Sequence, residues 1–277
     1  MKISAKTKFC IVVGDPIDHS LSPAIHNAAY KSLGIDDQFV YLGTNVKVEN
    51  IEAVVKAMRN MKNFCGLACT MPHKIEVIKH LDEIDEIAKK IGAVNTVVNN
   101  NGVLKGYNTD WLGIVTPLEQ IIKLKNKKVA VLGAGGAARA VVYGMILKGA
   151  KPTIFNRTVE KAQELGKEFA CNGVGLDDVE GIKDFDIIIN STAVGMHPLE
   201  NKTPIPTRFI NESQVVFDIV YIPYETKLLR EAKKKGAKTI HGIEMLLYQG
   251  TAQFELFTNH KAPVKVMRKI LNKNFKL

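Results

Sequence analysis

The stretch Val129-Ala-Val-Leu-Gly-Ala-Gly-Gly-Ala-Ala-Arg139 decides the fold. Its first four residues are apolar and read as a buried strand. Gly133-Ala134-Gly135-Gly136 then turns the chain, and Ala138, Val141, Val142, Met145 and Ile146 keep helical spacing as far as Gly149. A Gly-x-Gly-x-x-Ala set between strand and helix is the context of a dinucleotide-binding fingerprint. Gly133 permits the tight turn, Gly135 lets the backbone approach a pyrophosphate, and Ala138 fills the third position. Amides at the helix start face the phosphates, where the helix dipole favours negative charge.

Downstream, the next strand is expected over 152–155 and ends in Asn156-Arg157-Thr158. An NAD-binding domain commonly has Asp or Glu there to hold the ribose 2′-hydroxyl. Arg157 suits a 2′-phosphate instead, through its planar fork, and a carboxylate would repel one. The missing carboxylate therefore points to NADP, while Thr158 also reads as a cap for a helix over 159–169. Further strands are expected over 186–190 and 215–221, with a basic helix to Lys235 and a short strand at 239–240. His241-Gly242 opens a helix over 243–258, and Pro263 separates a last basic helix over 264–271.

The fingerprint begins near residue 130 of 277, so a domain's length of chain precedes it. With 46% hydrophobic and 24% charged residues, the composition is that of a soluble globular protein. The first ten residues carry Lys2, Lys6 and Lys8 without the apolar core of a signal peptide. No apolar run reaches the roughly 18 residues of a membrane span, and the expected compartment is the cytoplasm. Cys10, Cys65, Cys69 and Cys171 match neither zinc nor Cys-x-x-Cys spacing and read as small apolar filler. The net charge of +10 raises nucleic acid as a partner. Its lysines are spread along the chain without interleaved aromatics, so they read as a solvated face suited to small anionic ligands.

In the first half, strands are expected over 9–14, 39–43 and 64–69 and helices over 24–33, 51–61 and 77–90. Ser22 before Pro23 reads as a helix cap; Ser20 is unexplained by capping, and a ligand-facing hydroxyl is an open alternative. Pro72 ends the third strand, and Lys74 follows at the carboxyl end, the edge where open α/β sheets bind ligands. On composition alone Lys74 and His73 read as surface residues. Asn95, within a strand-like run over 91–98, must be hydrogen-bonded and is either a structural bridge or a ligand contact. Asn99-Asn-Asn-Gly102 is a turn, and Asp110 reads first as the cap of a helix over 111–122.

Taken together, these blocks resemble a known family. Gly14-Asp-Pro-Ile-Asp-His-Ser20-Leu-Ser22-Pro-Ala-Ile-His-Asn27, Thr70-Met-Pro-His-Lys74, Gly92-Ala-Val-Asn95-Thr96 and Gly106-Tyr-Asn-Thr-Asp110 are similar to signatures of shikimate dehydrogenases. So are Asn156-Arg-Thr158, Asp218-Ile-Val-Tyr221-Ile-Pro223 and Gly242-Ile-Glu-Met245-Leu-Leu-Tyr-Gln249-Gly250, in the family's order. The resemblance implies an α/β protein of two domains with the active site in the cleft between them. A substrate domain over 1–111, completed by 244–277, would accompany an NADP-binding Rossmann domain over 112–243. It implies NADPH-dependent reduction of 3-dehydroshikimate to shikimate, in aromatic amino-acid biosynthesis, by a monomer or homodimer without membrane or nucleic-acid partners.

Carried over by motif, Lys74 and Asp110 are the catalytic pair, and Ser20, Ser22, Thr70, Asn95, Tyr221 and Gln249 hold substrate. The cofactor falls to Gly133, Ala134, Gly135, Gly136, Ala137, Asn156, Arg157, Thr158, Gly242 and Met245, with no metal. The chemistry suits these groups: a ketone taking up hydride needs a proton, which an ammonium beside a carboxylate can give. A polyol needs a paired group for each hydroxyl once water is expelled. One departure is Ala68, where the family usually has Asn. Two rival readings are a quinate/shikimate dehydrogenase using NAD and a non-catalytic nucleotide- or RNA-binding protein.

Overall fold

The computed structural model describes residues 3–277. The chain forms two compact units, one running to Thr109 and resuming over Gln249–Leu277, the other Asp110–Tyr248. These boundaries fall two residues before the expected 111/112 and five beyond the expected 243/244.

The first unit holds strands β1 (Lys8–Gly14), β2 (Phe39–Asn45), β3 (Phe64–Cys69), β4 (Glu83–Ile84), β5 (Thr96–Asn100) and β6 (Val103–Tyr107). They form one sheet in the order β2-β1-β3-β5-β6-β4. β1 runs parallel to β2 and β3, whereas β5 is antiparallel to both β3 and β6. Its helices are α1 (Ser22–Ser32), α2 (Ile51–Asn60), α3 (His73–Glu76) and α4 (Glu86–Ile91). Ile51, Val55 and Met58, at helical spacing, bury one stripe of α2 against Ile11, Val13, Leu67 and Val97 of the sheet. The β5–β6 hairpin turns on Asn101 and Gly102, both left-handed with φ of 55° and 96°, the primed turn that Asn-Gly favours.

The second unit holds α5 (Asp110–Glu119), β7 (Lys128–Leu132), α6 (Gly136–Leu147), β8 (Lys151–Asn156), α7 (Val159–Phe169), β9 (Asn172–Gly175), β10 (Ile187–Asn190), β11 (Val215–Asp218), α8 (Lys227–Lys234) and β12 (Lys238–Ile240). Its sheet is parallel throughout, in the doubly wound order β12-β11-β10-β7-β8-β9. Such strands are covered on both faces and therefore read as continuous apolar runs. In β7, Val129 and Val131 face Val141 and Met145 of α6, while Ala130 and Leu132 face Leu228 and Leu229 of α8. Two last helices, α9 (Gly242–Thr258) and α10 (Val264–Phe275), close the chain. Phe254 of α9 lies 5.4 Å from the ring of Tyr30 on α1, which seats the returning segment on the first unit.

Several expectations are corrected. The helix over 77–90 is not formed: a 3₁₀ turn at Val77–His80, strand β4 and α4 take its place. The acidic residues are the reason, since Asp82 accepts the Leu104 N–H at 2.7 Å and Asp85 accepts the Ile87 N–H at 2.9 Å. Short carboxylates that bond nearby amides compete with the helix ladder. Of the run over 91–98, Ile91 ends α4 and the strand begins only at Thr96. The helix expected over 111–122 ends at Glu119, the strand over 215–221 stops at Asp218, and the last helix continues to Phe275.

Candidate functional site

In the first unit the expected substrate residues gather at the carboxyl ends of β1 and β3. Ser20 and Ser22 follow β1, and Thr70 follows β3, donating its N–H to the Val13 carbonyl at 2.9 Å. The two loops meet closely, for a Cβ on Gly14 would lie 2.5 Å from the Thr70 methyl. Ser22 does not cap α1 as expected: Leu21 holds that position, and Ser22 is the first helical residue. It is instead Ser20 whose Oγ accepts the Ser22 N–H, at 3.4 Å. The hydroxyl of Ser22 is thereby not spent on capping.

Lys74 lies in the single turn α3, which hydrogen bonds hold at both sides. Its carbonyl accepts the Val94 N–H at 2.8 Å, and the Asn95 carbonyl accepts the Cys69 N–H at 2.8 Å. The Lys74 ammonium stands close enough to Cys69 to oppose the burial that pushes that thiol up to about 12. His73, expected on the surface, is fully buried, its Nε2 at 2.8 Å from the Val46 carbonyl. Burial holds its imidazole below the ordinary range, and it anchors the turn from beneath.

Asn95 is held in place by hydrogen bonds within the first unit. Its Nδ2 donates to Thr109 Oγ1 at 2.9 Å, and its Oδ1 accepts the Thr109 N–H and the Thr96 hydroxyl, each at 2.8 Å. Gln249, 154 residues along the chain, brings its Oε1 to 3.5 Å from the same Nδ2. Gln253, one turn further along α9, donates to Thr96 Oγ1 at 3.0 Å. These amides and hydroxyls form a buried polar network in the first unit, and neither spacing nor periodicity indicated Gln253.

In the second unit the fingerprint takes the geometry its residues predicted. Gly133 has φ of +110°, and a Cβ there would sit 2.9 Å from Ser191 Oγ, so the turn needs glycine twice over. Gly135 differs: it is the exposed N-cap of α6 at φ −94°, and a Cβ on it meets nothing within 4 Å. The protein itself does not require glycine there. Gly136 and Ala137 begin the twelve-residue α6, whose first turn carries no acidic residue. That amide-lined, uncrowded helix start fits a pyrophosphate.

Asn156 ends β8 and Arg157 follows it, exposed, with the Asn156 Nδ2 donating to the Thr158 carbonyl at 2.8 Å. Thr158 occupies the cap position of α7, but its side chain makes no capping bond. Asp110 is the first residue of α5 and buried, not a cap outside the helix. Met245 is buried in the core against the α6 face. Burial raises the Tyr221 phenol to about 12.

A polar cluster not singled out in the sequence braces the loops after β10 and β11. Asp218 accepts from Asn190 Nδ2 at 2.9 Å, the Val220 N–H at 3.1 Å and the Thr226 hydroxyl at 2.6 Å. Burial raises its carboxyl to about 6, against these three donors. The same loop is pressed by Gly242, whose Cβ would lie 2.4 Å from the Val220 carbonyl oxygen. Tyr224 stacks on His241 at 4.3 Å with 5° between the rings. Tyr221 therefore sits on a loop fixed from both sides. The available signal was an acid or amide closing an apolar strand, as Asn190 and Asp218 do.

Comparison with known proteins agrees with this arrangement. Residues 12–97 match a family model described as the shikimate dehydrogenase substrate binding domain. Residues 117–223 match one for shikimate / quinate 5-dehydrogenase, and residues 242–271 one for the shikimate 5'-dehydrogenase C-terminal domain. Shikimate dehydrogenase (NADP(+)) of Methanococcus maripaludis is 44% identical over 99% of this chain and 100% of its own. A shikimate dehydrogenase solved with NADP+ superposes with a TM-score of 0.91 at 42% identity, covering 99% of this chain and 97% of that one. The Thermus thermophilus enzyme, solved with NADP(H) and shikimate, gives 0.89 at 35% identity, over 96% and 99% of the two chains. With its polar cluster, its nucleotide turn and these likenesses along nearly its whole length, the chain belongs to the shikimate dehydrogenase family.

Proposed function

We propose that this chain is an NADP-dependent oxidoreductase that reversibly reduces 3-dehydroshikimate to shikimate. The observation that carries this reading is the 44% identity, end to end, with a protein named shikimate dehydrogenase (NADP(+)). NADPH, when bound, supplies the hydride. Among the chain's own residues, Gly133–Ala137 offer amides to the pyrophosphate, and Arg157 offers a planar cation to the 2′-phosphate. Lys74 protonates the oxygen of the reduced ketone and takes the proton back in reverse, with Asp110 as its carboxylate partner. Ser20, Ser22, Thr70, Asn95 and Gln249 recognise hydroxyls, and Tyr221 the carboxylate. No helix among the described residues is long and apolar enough to cross a membrane, and a cytoplasmic location is part of the same proposal.

The test is nicotinamide absorbance with shikimate and with quinate, each offered NADP+ and NAD+. Turnover confined to shikimate with NADP+ is expected. Equal use of quinate or of NAD+ would move the chain to the broader quinate/shikimate activity.

Two substitutions examine the cofactor residues. Arg157→Ala removes charge-assisted bonds worth about 1.5–3 kcal/mol. The KM for NADP+ should rise about 10–100-fold while that for NAD+ changes little; equal changes for both would remove Arg157 from phosphate recognition. Gly135→Ala separates ligand from fold. Its φ suits alanine and the space is open; the unfolded-state gain of about 0.4–1 kcal/mol is offset by alanine's poorer N-capping, so the variant should fold with stability changed by less than about 1 kcal/mol. A methyl between backbone and pyrophosphate should nevertheless weaken NADP+ binding about tenfold or more, measured by titration calorimetry. Unchanged affinity would exclude close approach at this residue.

A further inference from the structure

Cys10 and Cys65 are 55 residues apart in sequence, yet their sulfurs are 3.1 Å from one another. The arrangement comes from an irregularity in the sheet. β1 and β3 pair Phe9 with Phe64 and then Cys10 with Gly66, so Cys65 is an extra residue on β3. A bulge of this kind re-aims the side chain it carries. Gly66 completes the geometry, since a Cβ there would lie 2.9 Å from the Cys10 sulfur and 2.5 Å from the Phe257 ring. The two thiols are unequal: Cys10 is fully buried, and Cys65 is half-buried at the strand bulge. The Cys10 thiol hydrogen bond and the nearby Lys8 hold Cys65 below the ordinary thiol range, while burial pushes Cys10 well above it. Where a disulfide forms in a reducing compartment, it is usually transient and catalytic or redox-sensing.

We propose that Cys10 and Cys65 are a reversible oxidation site, closed to an intramolecular disulfide between β1 and β3 by a peroxide. Cys65, as thiolate, attacks one peroxide oxygen; an S–O bond forms, the O–O bond breaks and hydroxide leaves as water after taking a proton. Cys10 then attacks the sulfenic sulfur, forming S–S and breaking S–O, and its proton leaves with the oxygen as a second water. Each sulfur loses one electron and the peroxide gains two. The bond would join the two strands whose carboxyl ends lead to Ser20 and to Lys74, and it does not depend on the enzymatic reading.

The test uses the intact wild-type protein and hydrogen peroxide as the probe. After brief oxidation the protein is denatured, alkylated and digested. Two of the four cysteines should become unreactive to alkylation, with one cross-linked peptide containing Cys10 and Cys65, and dithiothreitol should restore both. In Cys10→Ser, Cys65 should instead accumulate as a sulfenic acid that dimedone traps. Four alkylatable thiols after peroxide, or a bond involving Cys69, Cys171 or a second chain, would overturn the proposal.

Discussion

Lys74→Ala is expected to lower kcat by about 10²–10⁴-fold, the usual contribution of a positioned proton donor, while NADP+ binding is retained. The fold should tolerate the change. Alanine is the best helix former, and backbone bonds to Val94 and Thr70 hold α3. Loss of activity would therefore report on chemistry. Lys74→Arg makes the assignment sharper. Arginine keeps the positive charge but does not deprotonate in proteins, so it can orient substrate without exchanging a proton. An Arg variant with near-normal KM for shikimate and a kcat close to that of Ala would identify proton transfer as the role. Normal turnover by Lys74→Ala, measured by nicotinamide absorbance, would remove Lys74 from the catalytic pair.

The second unit was legible because its signals are local. An apolar run, a Gly-rich turn and a helical stripe each declare themselves within a few residues, and Gly133 needs its positive φ wherever the ligand lies. The first unit was less so because its site is built from long-range bonds. Nothing in the spacing of Asn95 indicates that Gln249 and Gln253 return to it across more than 150 residues. Local rules also misled. Ser22-Pro23 has the composition of a cap, yet the helix begins one residue earlier because Ser20 serves the Ser22 amide. His73 reads as a surface residue by type, yet it is buried with its Nε2 on the Val46 carbonyl. Propensity describes a residue's preferences, and a hydrogen-bond partner from a distant strand can override them. The cysteines show the same limit, since only a bulge in β3 brings Cys65 onto Cys10.

Asp218→Asn should change how stability depends on pH, in a direction that can be worked out. Burial raises the Asp218 carboxyl to about 6 in the folded protein, whereas an unfolded Asp titrates near 3.9. Between those values the native state holds more protons than the unfolded chain. Unfolding free energy then falls as pH rises. The contribution of the neutral acid is complete below about pH 4 and is lost above about pH 6, an effect of about 2–3 kcal/mol at 1.36 kcal/mol per unit. Asparagine does not titrate. It keeps an oxygen for the Val220 and Asn190 donors, so the variant should fold, and the stability it lacks should be greatest in acid. Relative to wild type, the variant should therefore gain about 2–3 kcal/mol on going from about pH 4 to about pH 6.5, read from urea unfolding at each pH. The competing expectation is explicit in the site, because three donors favour the ionised form while burial opposes it. A difference that shrinks in the opposite direction would mean that Asn190, Val220 and Thr226 outweigh burial. The loop carrying Tyr221 would then be held by a carboxylate at all physiological pH values, rather than by a group that picks up a proton in mild acid.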